Sequence, residues 1–462
     1  MIKRTLAQVH EMAGGLNDIS AFQSVEVTGV SIDSRSIGAG NLFIPFKGEN
    51  VDGHQYVERA ISQGAAASLW QKDVPNPPAG QPIILVENTL QALQQLAKNY
   101  RDQLSLKIVG ITGSNGKTTT KDMTASLLGT TYKVHKTNGN FNNHIGLPLT
   151  MLGMDEETEI AVLEMGMSGR GEIELLSKLA RPNVVIITNI GEAHLLDLGS
   201  REGIAQAKLE IISGLQAGGT VIYHGDEPLL RDKLESSVEE RHFQTISFGK
   251  GENNDIYPVN IQTGQDHTVF SLNDNKEEFT ISVLGTHNVL NAIAAIAAAR
   301  TLDVEETKLQ DGLNNIQLTS MRMEMVEGLN GEKIINDAYN ASPTSMKAAI
   351  DLVGELTGFG NKIAVLADML ELGPEEEQFH YKLGEEINPA QINKVFTFGR
   401  LGRLIAEGAK NHFSAENVFA FNDKGELVEE LKKHVSSGDL VLVKGSRGMK
   451  LEEVAHKLSS QS

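Results

Sequence analysis

The chain of 462 residues contains no cysteine, which excludes disulfides, thiol nucleophiles and thiolate zinc sites and fits a reducing compartment. Long apolar runs are missing too. The richest Ala/Ile stretch, Ala292 to Ala299, follows polar Asn291 and falls far short of the roughly 20 residues that span a bilayer. The amino-terminal Met-Ile-Lys-Arg-Thr-Leu-Ala-Gln lacks the apolar segment of a secretory signal, so a cytoplasmic location is expected. Positive charge is in deficit: 41 Lys and Arg against 60 Asp and Glu leave a formal charge of −19. That surface disfavours nucleic acid and anionic membranes as partners, and any anionic ligand must be attracted locally. Neither a short-period repeat nor a low-complexity tract occurs.

What is present is a composition for burying cores, 40% hydrophobic and 22% charged, in a chain too long for one ordinary core. Three α/β domains are expected, at residues 1–104, 105–316 and 317–462. The first mixes short strand-like runs (25–28, 41–45, 82–86) with helical patterns at 56–63 and 89–101, and the Pro-rich stretch 75–80 reads as a loop. In the second, continuous Val/Ile runs at 107–112, 159–163, 183–188 and 219–223 alternate with helical segments. This predicts a parallel sheet covered on both faces, with ligands at the carboxyl ends of its strands. The third repeats the pattern at 333–335, 362–366, 394–398 and 439–444, predicting a Rossmann-like sheet.

The densest signal is Gly110-Ile-Thr-Gly-Ser-Asn-Gly-Lys-Thr-Thr-Thr120, placed between an apolar strand and a helix-like stretch from Lys121 to Leu128. Glycines let backbone N–H groups turn towards phosphate oxygens, Lys117 adds a point charge, and the Thr118 hydroxyl suits Mg²⁺. A nucleoside triphosphate is therefore expected at Gly113, Ser114, Asn115, Gly116, Lys117, Thr118 and Thr119. The loop departs from the commonest spacing: Ile111 stands where a first glycine is usual, and glycines sit at 110 and 113.

Thr-Gly-Ser-Asn-Gly-Lys-Thr is the form this loop takes in the Mur ligases, ATP-dependent enzymes that extend the peptide of UDP-N-acetylmuramic acid. The chain resembles that family in further motifs, all in order: Glu164-Met-Gly, Asn189-Ile-Gly-Glu-Ala-His194, Ala207-Lys208, His287-Asn-Val-Leu-Asn291-Ala, Arg322-Met-Glu324 and Asn336-Asp337-Ala-Tyr-Asn340. Asn340-Ala-Ser-Pro343, Asp368-Met-Leu-Glu-Leu-Gly373 and Lys444-Gly-Ser-Arg447 are similar to the members acting last, which join D-alanyl-D-alanine to UDP-muramoyl-tripeptide through an acyl phosphate, forming ADP.

The resemblance implies roles. Thr118 and Glu164 would hold Mg²⁺ on the nucleotide, and His194 a second Mg²⁺. Lys208, in a helical stretch over 204–215 where composition alone would place it on a solvated face, would be carbamylated by CO₂ to support that second ion. Lys117, His194 and Lys208 are thus the expected catalytic set. Asn291 would contact adenine, Arg322 a phosphate and Asp337 the ribose, placing ATP between domains. In the amino-terminal block Ser31-Ile-Asp-Ser-Arg35 and Gly48-Glu-Asn-Val-Asp-Gly-His54 resemble UDP-binding segments, giving Ser34, Arg35, Lys47, Asp52 and His54. The polar stretch 137–143 reads as a loop reaching the muramoyl-peptide, giving Thr137, Asn138, Asn142 and Asn143. A monomer is expected. Three alternatives stay open: the ligase adding the third residue, although the Asp-Asn-Pro-Arg of its diaminopimelate type is missing; a folylpolyglutamate synthetase, disfavoured by the amino-terminal motifs; and a non-catalytic nucleotide-sugar module.

Overall fold

The computed structural model describes residues 1–48, 51–235, 242–264 and 266–459. Near the amino terminus, strands Val30–Ser31, Leu42–Phe43, Ala67–Gln71 and Ile83–Val86 pair in that order, all parallel. Helix Thr89–Asp102 starts where Asn88 Oδ1 accepts the Gln91 N–H at 3.0 Å. Its apolar stripe Leu93, Leu96, Ala97 and Tyr100 enters a core shared with Leu147, Met151 and Leu163 of the next block, and the Tyr100 hydroxyl donates to Met154 O at 2.8 Å.

The central sheet has six parallel strands in the spatial order Gln244–Phe248, Thr220–His224, Val184–Ile187, Lys107–Thr112, Ile160–Glu164, Val134–Lys136. Val184–Ile187 and Ile160–Glu164 are buried at every position, as expected of strands covered on both faces. Helix Thr286–Thr301 is buried along most of its length because its alanines let it pack close against helix Lys117–Leu128. A separate antiparallel sheet of Pro258–Thr263, Thr268–Leu272 and Asn275–Ile281 lies outside the all-parallel expectation.

The third sheet is ordered Glu324–Glu327, Lys333–Asp337, Leu440–Lys444, Lys362–Ala367, Lys394–Phe398, Val418–Phe421, parallel except for its first, antiparallel edge. Two helix expectations shift. The phosphate-loop helix begins at Lys117 rather than Lys121, since glycine ends the loop directly before it. The helix expected over 204–215 is instead Arg201–Leu209, started by Ser200 Oγ on Gly203 N and followed by a tighter turn, Glu210–Gly214.

Candidate active site

Strand Lys107–Thr112 runs into the loop 113–116 and then the helix. Gly113 (φ 149°) and Gly116 (φ 80°) hold backbone that side chains disfavour. A Cβ at Gly113 would meet Thr188 Oγ1 at 1.8 Å, and one at Gly116 would meet Asn291 Oδ1 at 2.5 Å. The loop is fixed from the neighbouring strand end: Ser114 N donates to Asn189 O (3.1 Å) and Asn115 N to Asn189 Oδ1 (2.9 Å). The first bond of the helix runs from Thr120 N to Gly116 O at 2.8 Å. Consequently the N–H groups of Gly116, Lys117, Thr118 and Thr119 have no protein acceptor among the described residues. Such donors at a helix start form a site for an anion.

A cavity of about 380 Å³ opens in front of this loop. The central block supplies Lys117, Asn142, Glu164, His194, Lys208 and Asn291 to its wall, and the third block Arg322, Asp337, Tyr339 and Lys444. Lys117 Nζ donates to Gly113 O at 2.8 Å, and burial draws its pKa down, opposed by Glu164 and reinforced by Arg322. Thr118 lies behind the wall, its hydroxyl 2.9 Å from Glu164 Oε2, and Glu164 Oε1 accepts from Asn142 Nδ2 at 2.8 Å. Lys208 is only 2% exposed and has no hydrogen-bond partner for its ammonium among the described residues. Burial first, then the Lys117 cation, pull its pKa well below the ordinary lysine range, favouring a neutral amine.

His194 sits in the left-handed region at φ 65°. Its Nδ1 is 3.0 Å from Glu371 Oε2 without the alignment of a hydrogen bond. Burial, then Lys117, hold its imidazole below the ordinary range, against the pull of Glu371, so the contact is not an ion pair at neutral pH. Arg322 Nη2 donates to Thr118 Oγ1 at 3.1 Å, its guanidinium lies 3.9 Å from the Tyr339 ring centre, and its Nε is buried without a partner. Asp337 accepts from Met323 N at 3.2 Å and from Lys444 Nζ. Asn291 accepts from Thr120 Oγ1 (3.2 Å) and donates to Asn288 Oδ1 (3.1 Å).

Two residues expected at the UDP-peptide are buried. Thr137 is fully buried, and its hydroxyl accepts the Glu164 N–H at 3.0 Å and its carbonyl the Lys121 ammonium at 2.9 Å. His54 is buried as well: Nδ1 meets Asp52 Oδ1 at 2.6 Å and Nε2 accepts the Gln71 N–H at 3.0 Å, leaving neither nitrogen for a ligand. Ser34, Arg35, Lys47 and Asp52 lie away from the cavity wall, and Arg35 pairs with Asp33 at 2.8 Å. Glu49 and Asn50 of the second amino-terminal motif lie outside the described residues. Of the 137–143 stretch, Asn142 and Asn143 reach the cavity and Asn138 does not. Asn189 and Tyr339 were not singled out by sequence, though each stands inside a motif that was.

Comparison with known proteins agrees with this layout. Residues 26–101 match the model described as Mur ligase family, catalytic domain; 111–299 match Mur ligase middle domain; 321–447 match Mur ligase, glutamate ligase domain. The chain is 52% identical over 416 residues to the UDP-N-acetylmuramoyl-tripeptide--D-alanyl-D-alanine ligase of Bacillus subtilis, covering 90% of each. It superposes on a crystal structure of MurF from Acinetobacter baumannii with a TM-score of 0.89 and 30% identity, covering 99% of both chains. A MurF ligase from Thermotoga maritima, solved in complex with ADP, gives a TM-score of 0.81 at 31% identity over 94% of this chain and 97% of that one. The α/β architecture is the three-domain one of these ligases, and the chain belongs to the Mur ligase family.

Proposed function

We propose that this chain uses ATP to join D-alanyl-D-alanine to UDP-N-acetylmuramoyl-tripeptide, forming ADP, phosphate and the UDP-muramoyl-pentapeptide. One observation carries the reading: unpaired loop N–H groups and Lys117 face a cavity that is also lined by Arg322 of the third block. An anion held there would meet cations from both blocks. The choice of substrate is supported by relatives bearing that ligase's name over 90% of the chain.

The residues suit Mg²⁺ in the manner usual for that ion, held by one or two protein oxygens together with substrate phosphates. Thr118 and Glu164 provide such a pair at 2.9 Å, and no group of three or more His, Cys, Asp or Glu able to hold a metal occurs among the described residues. When bound, the ion neutralises phosphate charge so that a carboxylate can approach. Lys117 and Arg322 supply the cations that stabilise the transferring phosphoryl group. The carboxylate attacks the γ-phosphorus, ADP leaves, and the dipeptide amine then displaces phosphate from the acyl carbon. Lys208, an amine disposed to be neutral, is the group to carry CO₂ as a carbamate; beside His194 it would turn a cationic wall into one able to hold a second Mg²⁺. Asn291 and Asp337 are assigned to adenine and ribose. Ser34, Arg35, Lys47, Asp52, Asn138, Asn142 and Asn143 are retained for the UDP-peptide, with domains at 1–104, 105–316 and 317–462.

The test offers purified protein UDP-muramoyl-tripeptides ending in diaminopimelate or lysine, with ATP, Mg²⁺ and D-alanyl-D-alanine. ADP and a pentapeptide mass are expected from at least one. Extension of UDP-muramoyl-dipeptide by a single amino acid, with the tripeptides inert, would assign the chain to the preceding reaction instead.

A further inference from the structure

Behind the cavity, helix Lys117–Leu128 is tied along one face to the segment that leaves the central block for the third. Ser126 Oγ donates to Gly312 O at 2.7 Å, Asp122 Oδ2 accepts both Thr319 N and Thr319 Oγ1 at 2.8 Å, and Thr118 Oγ1 accepts Arg322 Nη2 at 3.1 Å. Positions 118, 122 and 126 are four residues apart and so share one helix face. Gly312 makes the close approach possible, since a Cβ there would stand 2.7 Å from Leu127 Cα. The connecting segment therefore runs back along the phosphate-loop helix and delivers Arg322 at its first turn.

The middle tie has the character of an anchor. Asp122 is 1% exposed, and its other oxygen accepts Lys136 Nζ at 2.7 Å with Lys121 Nζ at 3.2 Å. Burial alone would raise its pKa, but Lys121, Lys136 and the Thr319 N–H outweigh it and keep the carboxylate ionised. Just beyond the anchor, Met321 (φ 60°) and Met323 (φ 50°) are both left-handed, a conformation that non-glycine residues adopt at a cost, and they flank Arg322. Their N–H groups are held by Glu324 Oε2 at 3.0 Å and Asp337 Oδ1 at 3.2 Å. The strain persists because both ends of the turn are fixed.

We propose that Asp122 is a positioning residue for the ligation: by clamping Thr319 to the phosphate-loop helix it sets the point from which the turn 321–323 aims Arg322 at the nucleotide. The inference rests on the ATP-site reading given above. Asp122 touches no reactant and acts through Arg322.

The test is a double-mutant cycle on the full chain. Asp122→Asn, which leaves Lys121 and Lys136 without a full countercharge, is backed by the milder Thr319→Val. Each should lower kcat by roughly 10- to 100-fold, the scale of a small misplacement of a catalytic group, with the KM for UDP-muramoyl-tripeptide held within about twofold. Thr319→Ser, which keeps the hydroxyl, should recover most of the rate. In an Arg322→Ala background the same substitutions should change kcat by less than about twofold, because the residue they position is gone. Equal losses in both backgrounds, or a wild-type kcat in folded Thr319→Val and Asp122→Asn, would overturn the positioning role. Full activity of Arg322→Ala alone would instead overturn the ATP-site reading, and the inference with it.

Discussion

Arg322 Nη2 donates to Thr118 Oγ1 at 3.1 Å, joining residues 204 positions apart and closing the third block onto the first turn of the phosphate-loop helix. Thr118 in turn donates to Glu164, so one hydroxyl links the cationic wall to the carboxylate assigned to Mg²⁺. The two blocks touch again where Glu371 faces His194 and where Thr344 Oγ1 meets Glu192 Oε2. ATP chemistry in this arrangement depends on both blocks.

Arg322→Ala is therefore expected to slow ADP formation by roughly 100-fold or more, the scale lost with a phosphate-stabilising group. Equilibrium binding of UDP-muramoyl-tripeptide should change little, because that ligand is assigned to other walls. A variant that lost only UDP-tripeptide affinity would remove Arg322 from the nucleotide.

Lys117→Ala should abolish ligation while the thermal midpoint stays close to wild type. The ammonium contributes charge to the cavity and bonds to Gly113 O and Ser114 O, and no part of an apolar core. Ordinary turnover by the folded variant would contradict the phosphate-loop assignment.

Most of this site was legible because its chemistry is concentrated in short motifs at strand ends. The parallel strands were legible because burial on both faces demands unbroken Val/Ile runs, as in Val184–Ile187. Strands Pro258–Thr263 and Asn275–Ile281 were not, since they carry too many polar residues to stand out. The burial of Thr137 and His54 was not legible either: a polar side chain buried to hold backbone looks the same in sequence as one that meets a ligand. Asp122 and Thr319, 197 positions apart, offered no local signal at all.

Lys208→Ala should be nearly inactive and regain part of its activity when a short carboxylic acid is added, because the proposed carbamate would supply negative oxygen at that point. Rescue by small amines instead would contradict the carbamate. In CO₂-depleted buffer near neutral pH, Lys208→Met should raise the unfolding midpoint, since it removes a buried amine whose charged form has no partner. That gain should shrink as pH rises towards the ordinary lysine pKa, where the unfolded chain no longer takes up the extra proton.

His380 gives a separate pH dependence. It is fully buried, its Nδ1–H donates to Glu376 O at 2.6 Å, and its Nε2 accepts the Met369 N–H at 2.8 Å, which requires the neutral ring. Burial holds its pKa below the ordinary value of 6.5. As pH falls below that value the unfolded chain binds the proton first, so stability declines, by at most about 1.4 kcal/mol per pH unit for one group. Unfolding free energies measured from pH 7 to 5 should show this slope reduced in His380→Gln. An unchanged slope would mean the ring is not held neutral.

The central claim is that ATP activates the substrate carboxylate in the cavity between the central and third blocks. UDP-muramoyl-tripeptide labelled with oxygen-18 in both oxygens of the carboxylate to be extended tests it in one turnover with ATP, Mg²⁺ and D-alanyl-D-alanine. Phosphoryl transfer to that carboxylate predicts one labelled atom in the released phosphate and one in the new peptide carbonyl. Unlabelled phosphate, with both labelled atoms still in unreacted tripeptide, would mean that ATP is hydrolysed by water and would contradict the account.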